Sequence, residues 1–75
     1  MEELLDRITV DPDVLFGKPI IRGTRIPVYF IVELVANGIA TDEILKEYPR
    51  LKEEDIKAAL LYVSNLVENE VIITL

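Results

Sequence analysis

The chain has 75 residues, no cysteine, no histidine and a net charge of -6. It therefore forms no disulfide, no thiolate metal site, no imidazole base and no thiol nucleophile, and an enzyme built on it would have to run on carboxylates, Lys or Tyr. The acidic balance has the wrong sign for holding nucleic acid by nonspecific phosphate attraction, and 51% hydrophobic residues exceed what so short a chain hides in one core, which points to a second subunit.

The N-terminal MEELLDR is acidic where a secretory signal is basic, and no apolar run approaches the ~20 residues of a membrane-crossing helix, so the expected location is the cytoplasm with no membrane partner. Arg7 to Val10 (RITV) predicts a short strand closed by the turn Asp11-Pro12-Asp13. From Gly17 to Pro27 (GKPIIRGTRIP) glycines and prolines punctuate a short apolar pair, predicting an irregular loop with a second short strand near Ile20 to Arg22. Pro27 suits the first turn of a helix, and Val28 to Asn37, with Gly38 as its stop, is the first helix. Only Glu33 and Asn37 interrupt its apolar surface, so it must be enclosed by the domain and by a second subunit.

Thr41 is expected to cap the second helix, with Asp42 and Glu43 favouring its positive end. That helix runs to Tyr48, turns Ile44, Leu45 and Tyr48 inward and ends at Pro49. The third helix opens on Glu53-Glu54-Asp55 and continues to Glu68. Its apolar stripe is Ile56, Ala59, Leu60, Val63, Leu66 and Val67, with Leu61 and Tyr62 off the stripe. Val71 to Leu75 (VIITL) is a β-prone tail. No repeat or linker divides the chain, so 1–75 is one domain: strand and basic loop at 7–27, three-helix core at 28–68, apolar tail at 71–75. The expected fold is mainly α, a three-helix helix-turn-helix bundle with short N-terminal strands and a possible C-terminal strand; generic packing of three helices fits the same periodicity.

Lys18, Arg22 and Arg25 fall in a stretch without acidic residues, and Gly17 and Gly23 let its backbone approach a phosphate or carboxylate. The alternative is a solvated loop whose cations pair with the domain's own carboxylates. Lys46, Arg50, Lys52 and Lys57 form a second group, but Glu53 to Asp55 occupy the helix start that would contact bases. An ordinary charged surface, with Glu53 and Lys57 as an i,i+4 pair, is the simpler reading of this group. Asp11, Asp13 and the Glu53 to Asp55 run serve as turn and capping residues, and Gly17-Lys18 lacks the rest of a phosphate-binding P-loop, so no catalytic residue, metal site or cofactor is assigned. Tyr29, Phe30, Leu61, Tyr62 and the tail residues Val71, Ile72, Ile73 and Leu75 are candidate dimer or partner contacts, the alternative being that they fill the core. A terminal strand can also add to another chain's sheet.

The run from Arg7 to Val63 resembles the small prokaryotic family called domain of unknown function 433. The resemblance is most specific in GKPIIRGTRIPV (Gly17 to Val28) and continues through Gly38, ILKEYP (Ile44 to Pro49) and DIKAAL (Asp55 to Leu60). It implies a homeodomain-like or winged-helix-like fold, and an association with antitoxins of the type in which a DNA-binding protein neutralises a PIN-like ribonuclease toxin. By position, Lys18, Arg22, Thr24 and Arg25 form the signature segment and Thr41 to Leu66 the helix-turn-helix. With only a short apolar tail after the third helix, no long toxin-wrapping extension is expected. The expectation is a homodimer that contacts operator DNA through Lys18, Arg22, Thr24, Arg25, Arg50, Lys52 and Lys57, and a toxin through its tail or an exposed helix face. The alternative is a protein-interaction module of the same shape that does not bind DNA.

Overall fold

A computed structural model describes residues 2–68, so the tail Val71 to Leu75 and its possible strand lie outside the described residues. In chain order the elements are α1 (Glu2–Leu5), β1 (Ile8–Thr9), a left-handed turn at Leu15–Gly17, β2 (Ile20–Ile21), α2 (Val28–Ala36), α3 (Thr41–Glu47) and α4 (Glu53–Glu68). The domain is mainly helical, with a small antiparallel sheet in which Ile8 faces Ile21 and Thr9 faces Ile20. No helix among the described residues is long and apolar enough to cross a membrane.

The core takes one or two side chains from each of β2, α2, α3, the connection and α4: Ile21 of β2, Val28 and Ile31 of α2, Ile44 of α3, Leu51 of the connection, and Ile56 and Ala59 of α4. Leu34, Val35, Leu45 and Tyr48 close around it, half-buried. The first long helix stops as its sequence dictates. Gly38 takes a φ of 82°, its amide reaches the Val35 carbonyl at 3.0 Å, and the Ile39 amide reaches Leu34 at 3.1 Å. This is the paired C-terminal bond pattern that a left-handed glycine allows.

Two sequence expectations need correction, and one element was not anticipated. Thr41 does not cap α3. Ala40 is the extended residue before the helix, its carbonyl accepts the Glu43 and Ile44 amides at 3.0 Å each, and Thr41 is already inside the first turn without a capping bond. The inward face of α4 is rotated from the expected stripe. Asp55, Ile56, Ala58 and Ala59 are buried and Tyr62 and Val63 pack on the core, whereas Leu60, Leu66 and Val67 are exposed. The two alanines let α1 and α2, which both pack on α4, approach its backbone closely. Finally, the acidic N-terminus contains a one-turn helix, α1, although isolated helices of this length do not form in water. Packing against α4 is what holds it.

Leu15, Phe16 and Gly17 carry φ values of 50°, 58° and 79° in succession. Only glycine adopts that region freely, so the leucine and phenylalanine each cost of order 1–3 kcal/mol.

Candidate functional site

The basic segment folds as a tight hairpin. Ile21 to Thr24 form a turn closed by the Thr24 amide on the Ile21 carbonyl at 3.0 Å, with Gly23 at φ 82° where the chain must turn left-handed. The Ile21 amide bonds the Ile26 carbonyl at 3.0 Å, and the Val28 amide bonds the Pro19 carbonyl at 2.9 Å. Thr24 stitches the hairpin from inside: its hydroxyl donates to the Ile21 carbonyl at 2.8 Å and accepts the Ile26 amide at 2.9 Å. Its half-buried oxygen is thus committed to the backbone. Replacing Thr24 by valine, which keeps the shape and removes both bonds, is expected to destabilise the domain by about 1–2 kcal/mol and to lower its melting temperature by roughly 5–10 °C in a circular-dichroism melt. Serine in its place should restore most of the loss.

The turn hangs over the start of α4. There, Arg7, Arg22, Arg50 and Lys52 share a groove of about 470 Å³ with the carboxylates of Glu3, Asp6 and Asp55. Each of the three arginines is tethered in a different way. Arg22 Nε donates to the Asp6 carbonyl at 2.8 Å, and its amide donates to the Arg7 carbonyl at 2.7 Å. Arg50 donates to the Gly23 carbonyl at 3.3 Å. Arg7 pairs with buried Asp55 at 3.0 Å, the only ion pair among the described residues, and the other Asp55 oxygen accepts the Lys52 amide at 2.9 Å. Four cations against three carboxylates make this corner locally positive in a chain of net charge -6. Because a guanidinium has five N–H donors, the tether on Arg22 and on Arg50 leaves most of each fork for a ligand.

Of the residues expected to contact DNA, Arg22, Thr24, Arg50 and Lys52 come together in this groove. Lys18 does not join them. Its ammonium lies 5.7 Å from the centre of the Tyr29 ring, at the rim of a second, apolar groove that also contains Tyr62 and Leu66. Arg25 and Lys57 are exposed and line neither groove. The expected Glu53–Lys57 pair is not formed.

Among the candidate partner contacts, Tyr29 is exposed, while Leu61 and Tyr62 are half-buried. Phe30 is engaged within the domain, edge-on against Tyr48 with ring centres 5.5 Å apart. Val71, Ile72, Ile73 and Leu75 lie outside the described residues. Asp55 caps the start of the last helix, as expected of the Glu53 to Asp55 run, but sequence reasoning missed its pairing with Arg7, because the two lie far apart in the chain. It also missed Phe16, which is 99% exposed.

Residues 8–63 match the family described as "Protein of unknown function (DUF433)". The uncharacterized protein y4eO of Sinorhizobium fredii is 42% identical over 55 residues; the match takes in 73% of this chain and 25% of that protein. A crystal structure of a DUF433 member protein from Anabaena variabilis aligns with a TM-score of 0.78 at 37% identity, covering 89% of this chain and 66% of the other. The present chain therefore spans a quarter of the first relative's length. With more than half of its residues in the match and a solved relative of the same fold, the chain belongs to the DUF433 family.

Proposed function

We propose that this chain is an antitoxin-like regulator that acts as a homodimer, with α3, the connection 48–52 and α4 serving as a helix-turn-helix and the cationic groove meeting operator DNA. The observation that carries this reading is the convergence of Arg22, Arg50 and Lys52 at the first turn of the longest helix. A helix start offers backbone N–H groups and the positive end of the dipole to a phosphate, and the tethered arginines are held ready beside it. Glu53 and Glu54 at the same helix start oppose loose binding. They favour a mode in which the cations hold phosphates while α4 enters the groove only at a matching site.

The test is anisotropy titration of the protein on DNA from its own promoter, with wild type against an Arg22→Ala, Arg50→Ala, Lys52→Ala variant. Affinity is expected to fall more than tenfold, and the slope of log K against log[salt] to flatten by about 0.9 for each phosphate contact removed. Equal binding by the two proteins, with equal slopes, would remove the groove from DNA recognition.

A second reading, a module of this shape that binds a partner protein such as a PIN-like toxin and not DNA, draws on a different observation: apolar groups that the domain leaves exposed, Phe16, Tyr29, Leu66 and Val67 among them. Co-expression with a neighbouring ribonuclease, followed by co-purification without promoter binding, would favour it.

A further inference from the structure

Phe16 is the most exposed large apolar side chain among the described residues, at 99%, and it stands on a backbone turn that L-residues adopt only at a cost. Two consecutive turns deliver it: Asp11 to Val14 close on a 2.9 Å bond and Val14 to Gly17 on a 3.0 Å bond. A turn that is strained and also projects a bare phenyl ring gains nothing within its own domain.

The same chain carries a receptor of matching size. Pro19, Val28, Tyr29, Tyr62, Val63 and Leu66 line an apolar groove of about 240 Å³ with Lys18 on its rim. An apolar cavity of about 150 Å³ accommodates benzene, so this one has room for a phenyl ring. Phe16 does not fill the groove of its own chain, since it is almost fully exposed.

We infer that two copies of this chain close a two-fold dimer by each inserting Phe16 into the other's apolar groove. A two-fold interface requires knob and groove to face the partner together, so that residue i meets residue j at both ends, and Phe16 stands two residues from Lys18 and three from Pro19, which line the groove. Charge supports the same occupant. Asp11 and Asp13, exposed on the turn beside Phe16, would arrive at the Lys18 rim of the partner's groove as the ring enters. The contact is also compatible with DNA binding. The two grooves share no lining residue, and Tyr62 to Leu66 lie about 10 Å or more along α4 from Asp55.

The inference rests on the homodimer of the proposed function but not on its DNA contact, so the test is sedimentation of the full chain without DNA. Wild type is expected to be a dimer at about 100 µM, within the affinity range of modest interfaces. Phe16→Asn removes two anchors per dimer, each worth a factor of about 30, and should weaken dimerisation roughly 1000-fold. Asparagine tolerates the left-handed backbone, so the same variant should melt no lower as a monomer. Leu66→Glu, on the receptor side, should also be monomeric. Mixing the two variants should restore a heterodimer, which keeps one intact knob-and-groove pair.

A monomeric wild type, or a Phe16→Asn protein that dimerises as wild type does, would overturn the inference. So would loss of the dimer in an Ile72→Asp, Ile73→Asp variant with Phe16→Asn unaffected. Promoter binding by an intact dimer is scored separately, which keeps this failure distinct from failure of the DNA reading.

Discussion

Ile31→Ala is expected to unfold a large fraction of the protein at 37 °C. Ile31 is fully buried at the middle of α2, among core side chains contributed by β2, α3 and α4. Truncating a buried isoleucine to alanine costs about 2–5 kcal/mol, the higher part applying where rigid neighbours cannot collapse into the hole. Here the neighbours come from separate short elements, and relaxation at Ile31 would drag β2 and α3 with it, so about 3–4 kcal/mol is expected. A core of this size rarely supplies more than ~3–5 kcal/mol in all. The melting temperature should fall by about 15 °C or more, and Ile31→Val, which removes a single methyl, should lose only about 1 kcal/mol. A melt of Ile31→Ala within about 5 °C of wild type, at dilution, would show that the core is not organised around this residue.

The elements that sequence alone reveals here are those written in local chemistry. The first long helix is bracketed by Pro27 and Gly38, and both the stop and its bonding pattern follow from the glycine. The Ile20–Ile21 strand is readable because β-branched residues sit between punctuating glycines and prolines. What escapes is whatever depends on distant partners. One turn of helix at Glu2–Leu5 has no local reason to exist until α4 is beside it. The rotation of α4 has the same origin. Periodicity shows that one face is apolar but fixes its angle only coarsely, and the structure decides by turning Asp55 and two alanines inward and leaving Leu60 and Leu66 out.

The candidate site was legible in composition and not in role. Arg22, Arg50 and Lys52 were found by charge and do share a groove, but Thr24, chosen with them, spends its hydroxyl on the hairpin, and Lys18 leaves for the ring of Tyr29. A segment such as GKPIIRGTRIPV is therefore in good part a folding device: Ile20, Ile21 and Val28 are buried, Gly23 turns the chain, and Thr24 locks the turn. Arg22 is the residue of this segment that the hairpin aims outward into the groove.

Asp55 is where folding and the candidate site depend on one side chain, and Asp55→Ala is expected to lower stability by about 2–3 kcal/mol. One carboxylate oxygen accepts the Lys52 amide at the start of α4, a capping contact worth about 1 kcal/mol. The negative charge in the first turn adds roughly 0.3–1 kcal/mol through the helix dipole. The ion pair with Arg7 adds less than its 3.0 Å distance suggests, because Arg7 is 36% exposed and water screens it. Two consequences separate this view from a simple salt bridge. Arg7→Ala should cost clearly less than Asp55→Ala, and Asp55→Asn, whose amide oxygen can still accept the Lys52 N–H, should recover about half of the loss. If instead Arg7→Ala and Asp55→Ala lower the melting temperature equally, the ion pair and not the cap holds α4 in register. The groove offers a second readout: with Asp55 gone, Arg7 is released beside Arg22 and Arg50, so a variant that is less stable should bind a polyanion such as heparin more tightly at low salt.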